Sequence, residues 1–102
     1  MKTTKSPGRK GSRSGSAVLL ETYQPDAIDV CVAGTFNNWQ PQATPLVPLG
    51  QGKWAKELTL PAGTYEYRFV VDGQWVSDTK AEVVAPNPFG SENAVLIVDV
   101  RG

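Results

Sequence analysis

At 102 residues, 40% apolar and 20% charged, the chain is long enough for one small domain and too short for a catalytic barrel with a separate binding module. It has no histidine and one cysteine, Cys31, which excludes an internal disulfide, a soft-ligand zinc site and the commonest general base at neutral pH. Net charge is zero but lopsided: residues 1–16 carry Lys2, Lys5, Arg9, Lys10 and Arg13 with no acid, leaving −5 on the rest, and a mildly acidic domain argues against nucleic acid as its main partner.

Residues 1–16 are rich in Lys, Arg, Ser, Gly and Thr with almost nothing apolar. That composition predicts a disordered basic tail ahead of a folded domain over 17–102. Solvation is sufficient reason for such a tail; contact with an acidic partner or RNA is the alternative. No apolar run approaches the length of about 18 residues that a membrane span needs. The N-terminus also lacks the apolar region of a secretory signal, so a cytoplasmic setting is expected.

From Ala17 the sequence changes to short β-type runs separated by turn clusters. Ala17–Tyr23 is predicted as a first strand, ended by Gln24-Pro25-Asp26. Ile28, Val30 and Val32 alternate in a second strand that closes at Gly34, with Cys31 as a buried small hydrophobe. A loop bearing Pro41, Pro45 and Pro48 leads to a tight turn at Gly50-Gln51-Gly52. Trp54, Leu58 and Leu60 share one face of a third strand and belong to the core. Pro61-Ala62-Gly63 then turns into a hairpin. Val83-Val84 reads as a short edge strand before the loop over 86–93, and 94–100 as a last strand. No window has a useful amphipathic helical period. Six or seven short, evenly spaced strands predict an all-β sandwich.

The hairpin is the strongest local signal. Asp72-Gly73 between β-rich runs specifies a two-residue type I′ turn, because both central positions need positive φ. Paired residue numbers then sum to 145, so Val70 faces Trp75 and Arg68 faces Ser77. Alternation puts Tyr65, Tyr67, Phe69 and Val71 on a core face. Arg68, Val70 and Trp75 share the other, with Arg68 and Trp75 diagonal neighbours. An indole beside a guanidinium reads as a recognition surface. A second tryptophan, Trp39, follows a strand end in Gly34-Thr35-Phe36-Asn37-Asn38-Trp39, where an indole is costly unless it packs or binds. Asn87-Pro88-Phe89-Gly90-Ser91-Glu92-Asn93 puts an apolar residue on a glycine-hinged loop, followed by a hydroxyl and an amide. Flat aromatic faces with a few fixed polar groups suit a carbohydrate. A pyranose stacks its C–H face on an indole, and its hydroxyls find partners in Arg68, Ser91 and Asn93.

The blocks Val32-Ala33-Gly34-Thr35-Phe36-Asn37-Asn38-Trp39, Leu60 to Trp75 and Asn87 to Asn93 resemble the glycogen-binding module of the AMP-activated protein kinase β subunit. That module is related to the N-terminal domains of isoamylases and branching enzymes. The likeness covers about Ala17 to Val100, with the blocks in order. It implies an early-set, immunoglobulin-like β-sandwich that binds α-1,4-glucans, with Trp39 and Trp75 as stacking platforms. By the same resemblance Arg68 takes the place of a basic residue that reaches sugar hydroxyls, and Phe89 that of a bulky apolar residue set against the curved glucan. Ser91 replaces a threonine, and Asn93 matches a hydrogen-bonding asparagine. One departure is Thr79, where the family has proline after the aspartate here numbered Asp78, which removes a stiffening element from that loop.

A glycosidase needs a carboxylate pair across a cleft, whereas Asp72, Asp78 and Glu92 each have a turn or solvation role. The expectation is therefore a non-enzymatic module that binds an α-glucan polysaccharide or oligosaccharide without cofactor or metal. The alternative is a protein-interaction domain docking onto an enzyme of glycogen metabolism. Neither reading invokes a membrane or a nucleic acid.

Overall fold

The computed structural model describes residues 15–99 apart from Phe89. Of the segment expected to be a tail, residues 1–14 lie outside the described residues, and Ser16 opens the first strand. Eight strands follow in order among the described residues: β1 Ser16–Tyr23, β2 Val30–Gly34, β3 Val47–Gly50, β4 Lys53–Leu60, β5 Gly63–Val71, β6 Gln74–Val76, β7 Val84–Pro86 and β8 Glu92–Val98. The one helical element described is a single 3-10 turn, Thr35–Asn37, and no described helix is long and apolar enough to cross a membrane.

The strands form two antiparallel sheets, as expected of an all-β sandwich. One runs β1-β4-β3; the other runs β2-β5-β8-β7, with β6 also on β5. Their facing sides meet in a core of Leu20 and Trp54 from the first sheet and Val30, Val32, Tyr67, Phe69 and Ala94 from the second. Phe69, Val30 and Val32 are wholly buried. Trp54 is 9% exposed and its indole nitrogen donates to the Gln24 carbonyl at 3.2 Å, so its polar tip is satisfied in an apolar setting.

The hairpin has the expected register. Val70 pairs with Trp75, Val71 with Gln74 and Phe69 with Val76, and Asp72 and Gly73 take φ of 49° and 84°. The Asp72 carboxylate does more than tolerate that turn. Its Oδ1 accepts the backbone N–H of Ile28 at 2.9 Å and of Asp29 at 2.8 Å, while its own N–H donates to the Asp29 carbonyl at 2.8 Å. This tie corrects the second strand. Ile28 lies before β2 and is 88% exposed, because its N–H is spent on Asp72 and the chain turns there instead of pairing.

β3 is a further difference, because its residues were expected to belong to a proline-bearing loop. Proline is tolerated there because β3 is an edge strand, and the register shifts between Pro48 and Gly50. Residues 44–46 meanwhile run along the outer edge of β2: Val32 N–H donates to the Thr44 carbonyl at 3.0 Å, and Leu46 N–H to the Val30 carbonyl at 2.8 Å. The connection thus covers an open edge before crossing to the other sheet.

β5 organises the second sheet. Residues 67–71 pair with β2 on one edge. The opposite edge is divided: residues 63–67 take β8 and residues 69–71 take β6. Arg68 falls at the division. Gly34, opposite Tyr67, is needed for closeness, since a Cβ there would sit 2.4 Å from the Glu66 carbonyl oxygen and 2.8 Å from Tyr67 Cβ. Gly34→Ala is expected to destabilise by at least about 2 kcal/mol through overpacking against backbone, measured as a lower urea midpoint.

Tyr67 is 5% exposed and its phenol donates to Asp78 Oδ2. Burial first, and then the Asp78 carboxylate, push its pKa well above the ordinary tyrosine value. The neutral phenol is therefore the form the fold favours, and its contribution is intact below the unfolded-state pKa of about 10. It is lost as pH rises from there through the higher folded-state value. Urea midpoints are expected to fall more steeply above pH 10 for the parent than for Tyr67→Phe.

Candidate functional site

The outer face of the second sheet carries a second apolar cluster of Cys31, Ala33 and Val70, with Trp39 packed on it. Because cross-strand partners share a face, the pairs Cys31–Val70, Ala33–Arg68 and Val70–Trp75 build this surface from β2, β5 and β6. Cys31, expected as a buried small hydrophobe, is 4% exposed, and burial, reinforced by Asp29, pushes its thiol pKa up. The thiol therefore stays protonated and serves as packing.

Trp39 reaches this surface through an unusual backbone. After the 3-10 turn, Asn38 and Trp39 both have φ of 58°, a left-handed conformation that is rare for a bulky side chain. Asn37 latches the turn. Its Oδ1 accepts Gly34 N–H at 3.0 Å, and its Nδ2 donates to the Val32 carbonyl and to Thr44 Oγ1, each at 3.0 Å. Trp39 N–H then donates to the Gly34 carbonyl at 2.8 Å. The chain doubles back over β2, and the two indoles meet with ring centroids 6.3 Å apart and planes inclined by 41°. Trp75 is 41% exposed. Trp39 is half-buried, because it rests on the outer cluster; it had been expected as a turn-tip platform.

Beside the tryptophans lies an open groove of about 710 Å³, bounded by Thr35, Trp39, Glu66, Arg68, Trp75 and Asn93, with Asn87 and Pro88 at its loop side. Arg68 spans the division of the β5 edge: Nη1 donates to Ser91 Oγ at 3.2 Å and Nη2 to Ser77 Oγ at 3.4 Å. Its Nε is buried with no hydrogen-bond partner among the described residues. Ser77 in turn donates to the Glu92 carbonyl at 3.3 Å, closing β6 against β8.

The loop before β8 is tied by Asn87. Its Nδ2 donates to Ser91 Oγ at 2.9 Å and to Asn93 Oδ1 at 3.1 Å, and its Oδ1 accepts Ser91 N–H at 3.2 Å. Asn93 is 8% exposed and donates from Nδ2 to Glu66 Oε1 at 3.0 Å. Four of the six expected site residues, Trp39, Arg68, Trp75 and Asn93, therefore line one groove. Ser91 stands behind Arg68 as its hydrogen-bond partner. Phe89 lies outside the described residues. Sequence reasoning missed Thr35, Glu66 and Asn87. Glu66 carried a usable signal, since it sits two residues before Arg68 on the same strand face.

Against known proteins, the sequence matches the family model described as the glycogen recognition site of AMP-activated protein kinase over residues 19–101. Among curated relatives, the 5'-AMP-activated protein kinase subunit beta-2 of Homo sapiens is 37% identical over 70 residues, covering 69% of this chain and 25% of that protein. The subunit beta-1 of Rattus norvegicus is 36% identical over 70 residues, covering 69% of this chain and 24% of that protein. The chain thus spans about a quarter of the length of these relatives.

Loss of the latch should loosen the turn that carries Trp39. Asn37→Ala leaves Gly34 N–H and the Val32 carbonyl without their side-chain partner, an expected loss of about 1–3 kcal/mol. Thermal melting should record that loss, and a red-shifted tryptophan emission should accompany it as Trp39 becomes wetter.

Proposed function

The chain belongs to the glycogen-recognition family of AMP-activated protein kinase, and from that premise we propose that it binds α-1,4-linked glucan without catalysis, by stacking sugar rings on Trp39 and Trp75. The observation that carries the reading is the pair of indoles from two separate turns, inclined at 41°, lining one groove together with Thr35, Glu66, Arg68, Asn87, Pro88 and Asn93. Inclined aromatic faces follow a curved chain better than a flat one, and each offers a negative π face to the apolar C–H side of a pyranose. Arg68 and Asn93 orient the ligand through hydroxyls at the rim, with Ser91 holding Arg68 in place. Phe89 would add an apolar contact from the same loop sequence, a role carried over from the family.

An open groove with two platforms recovers little of the cost of immobilising a sugar chain, so affinity for a short oligosaccharide should fall on the order of millimolar to micromolar. Glycogen presents many chain ends and gains by avidity. The glucan class is the ligand proposed here; the partners and activity of the kinase holoenzyme belong to the longer relatives.

The test is retardation on native gels containing glycogen, with β-cyclodextrin titration followed by tryptophan fluorescence. Trp75→Ala should lower affinity at least about tenfold with stability changed by about 0.5 kcal/mol or less, as is usual for exposed positions. Trp39→Ala should lower affinity as much but also destabilise by about 1–2 kcal/mol, because its indole covers Cys31, Ala33 and Val70. A double variant that folds and binds glycogen like the parent would remove the site and leave docking onto an enzyme of glycogen metabolism as the better reading.

A further inference from the structure

Within the groove just assigned to glucan, and resting on that assignment, we infer that Glu66 is a positioning residue that fixes which hydrogen-bonding groups the groove presents. The argument begins with what its neighbours can and cannot do. A carboxylate only accepts hydrogen bonds and a guanidinium only donates. Glu66 and Arg68 occupy alternate positions of β5, so both project from its outer face into the groove. The loop over 87–93 is strung between these two charged ends.

Glu66 Oε1 faces Asn93 at 3.0 Å, so the atom pointing at it must be the amide nitrogen. That assignment turns Asn93 Oδ1 toward Asn87, whose Nδ2 must then be the donor, at 3.1 Å. The same Nδ2 gives its other proton to Ser91 Oγ at 2.9 Å, and Asn87 Oδ1 receives Ser91 N–H at 3.2 Å. Ser91 Oγ also accepts from Arg68 at 3.2 Å. Neither amide can rotate by a half-turn without setting donor against donor or acceptor against acceptor. The carboxylate fixes the Asn93 end of the series, and the Ser91 backbone N–H, which can only donate, fixes the Asn87 end in the same sense.

The result is a defined pattern. Asn93 is left with one N–H, and a Ser91 hydroxyl that already accepts from two donors is left to donate its own proton. Glu66 keeps Oε2 as an acceptor. The groove therefore offers donors from Asn93 and Arg68 beside one anionic acceptor, which suits neighbouring hydroxyls of one sugar ring, one accepting and one donating. The Glu66 backbone is itself held, since its N–H donates to Thr35 Oγ1 at 3.2 Å. Its side chain leaves the strand from a fixed origin.

Two variants of similar length separate this role from mere packing. Glu66→Gln can still turn its amide oxygen toward Asn93, so the Asn93–Asn87–Ser91 series survives, but the free acceptor becomes an amide donor and affinity for β-cyclodextrin should fall by about threefold to fivefold, less than in the lysine variant. Glu66→Lys places a donor where only an acceptor fits, which forces the Asn93 amide over and opposes it to the Asn87 amide. Affinity should drop by about tenfold or more. Side-chain amide signals of Asn93 in 15N–1H spectra, assigned with Asn93→Asp, should move strongly in Glu66→Lys and little in Glu66→Gln, while backbone dispersion shows both variants folded. Unchanged Asn93 signals in Glu66→Lys, or affinity within threefold of a binding parent, would overturn the inference. If the parent binds no glucan, the functional reading fails instead, and the spectra alone then decide whether Glu66 sets the amide.

Discussion

β5 has two faces, and each builds something that the other cannot. Tyr67 and Phe69 go inward to the core, while Glu66, Arg68 and Val70 go outward to the groove. A nine-residue strand covered on both sides leaves no freedom of register, because a slip of one residue would send the charges into the sandwich and the aromatics into solvent. Burial of Phe69 beneath and packing of Trp39 above are therefore one constraint seen from two sides. The groove inherits its geometry from the hydrophobic core, which is why weakly interacting polar groups can be held in fixed directions.

Side-chain amides and carboxylates perform the local work of holding loops to that strand. Asp72 turns the hairpin and also caps the approach to β2. Asn37 closes the turn that aims Trp39, and Asn87 closes the loop that aims Asn93 and Ser91. In each case a short polar side chain replaces the ladder hydrogen bonds that an irregular segment gives up. The left-handed backbone at Trp39 persists because Asn37 on one side and the Gly34 carbonyl on the other over-determine it.

Much of this was legible in the sequence, and the reasons differ by element. Asp72-Gly73 admits one turn type, and the register of β5 and β6 follows from it by counting. The tryptophans and Arg68 were legible because large amphipathic groups at exposed positions need a reason to be there. β3 was not, since Pro48 and the mainly exposed Val47 and Leu49 carry no burial pattern, and an edge strand does not need one. Ile28 looked like part of β2 by alternation, but a contact 44 residues away in sequence decided otherwise. Glu66 was not singled out; its contact with Asn93 exists only because the pairing of β5 with β8 brings the two together. Long-range contact, rather than local propensity, is what the single sequence withheld.

The separation of latches between Asn37 and Asn87 bears on how such a groove changes by mutation. The indoles are carried by turns tied to strand backbone, through Asn37 to the Val32 carbonyl and through Asp72 to the approach to β2, so altering those turns disturbs folding. The polar wall belongs to one connection whose internal bonds run mainly from Asn87 to Ser91 and Asn93, and it meets the rest of the site chiefly at Glu66, Arg68 and Ser77. Substitutions and length changes in that connection can accumulate while the indoles stay where they are. On the proposed glucan reading, stacking strength and hydroxyl preference would be separately heritable: a lineage carrying this sandwich could drift in which sugar pattern it favours without first losing the capacity to hold a sugar at all.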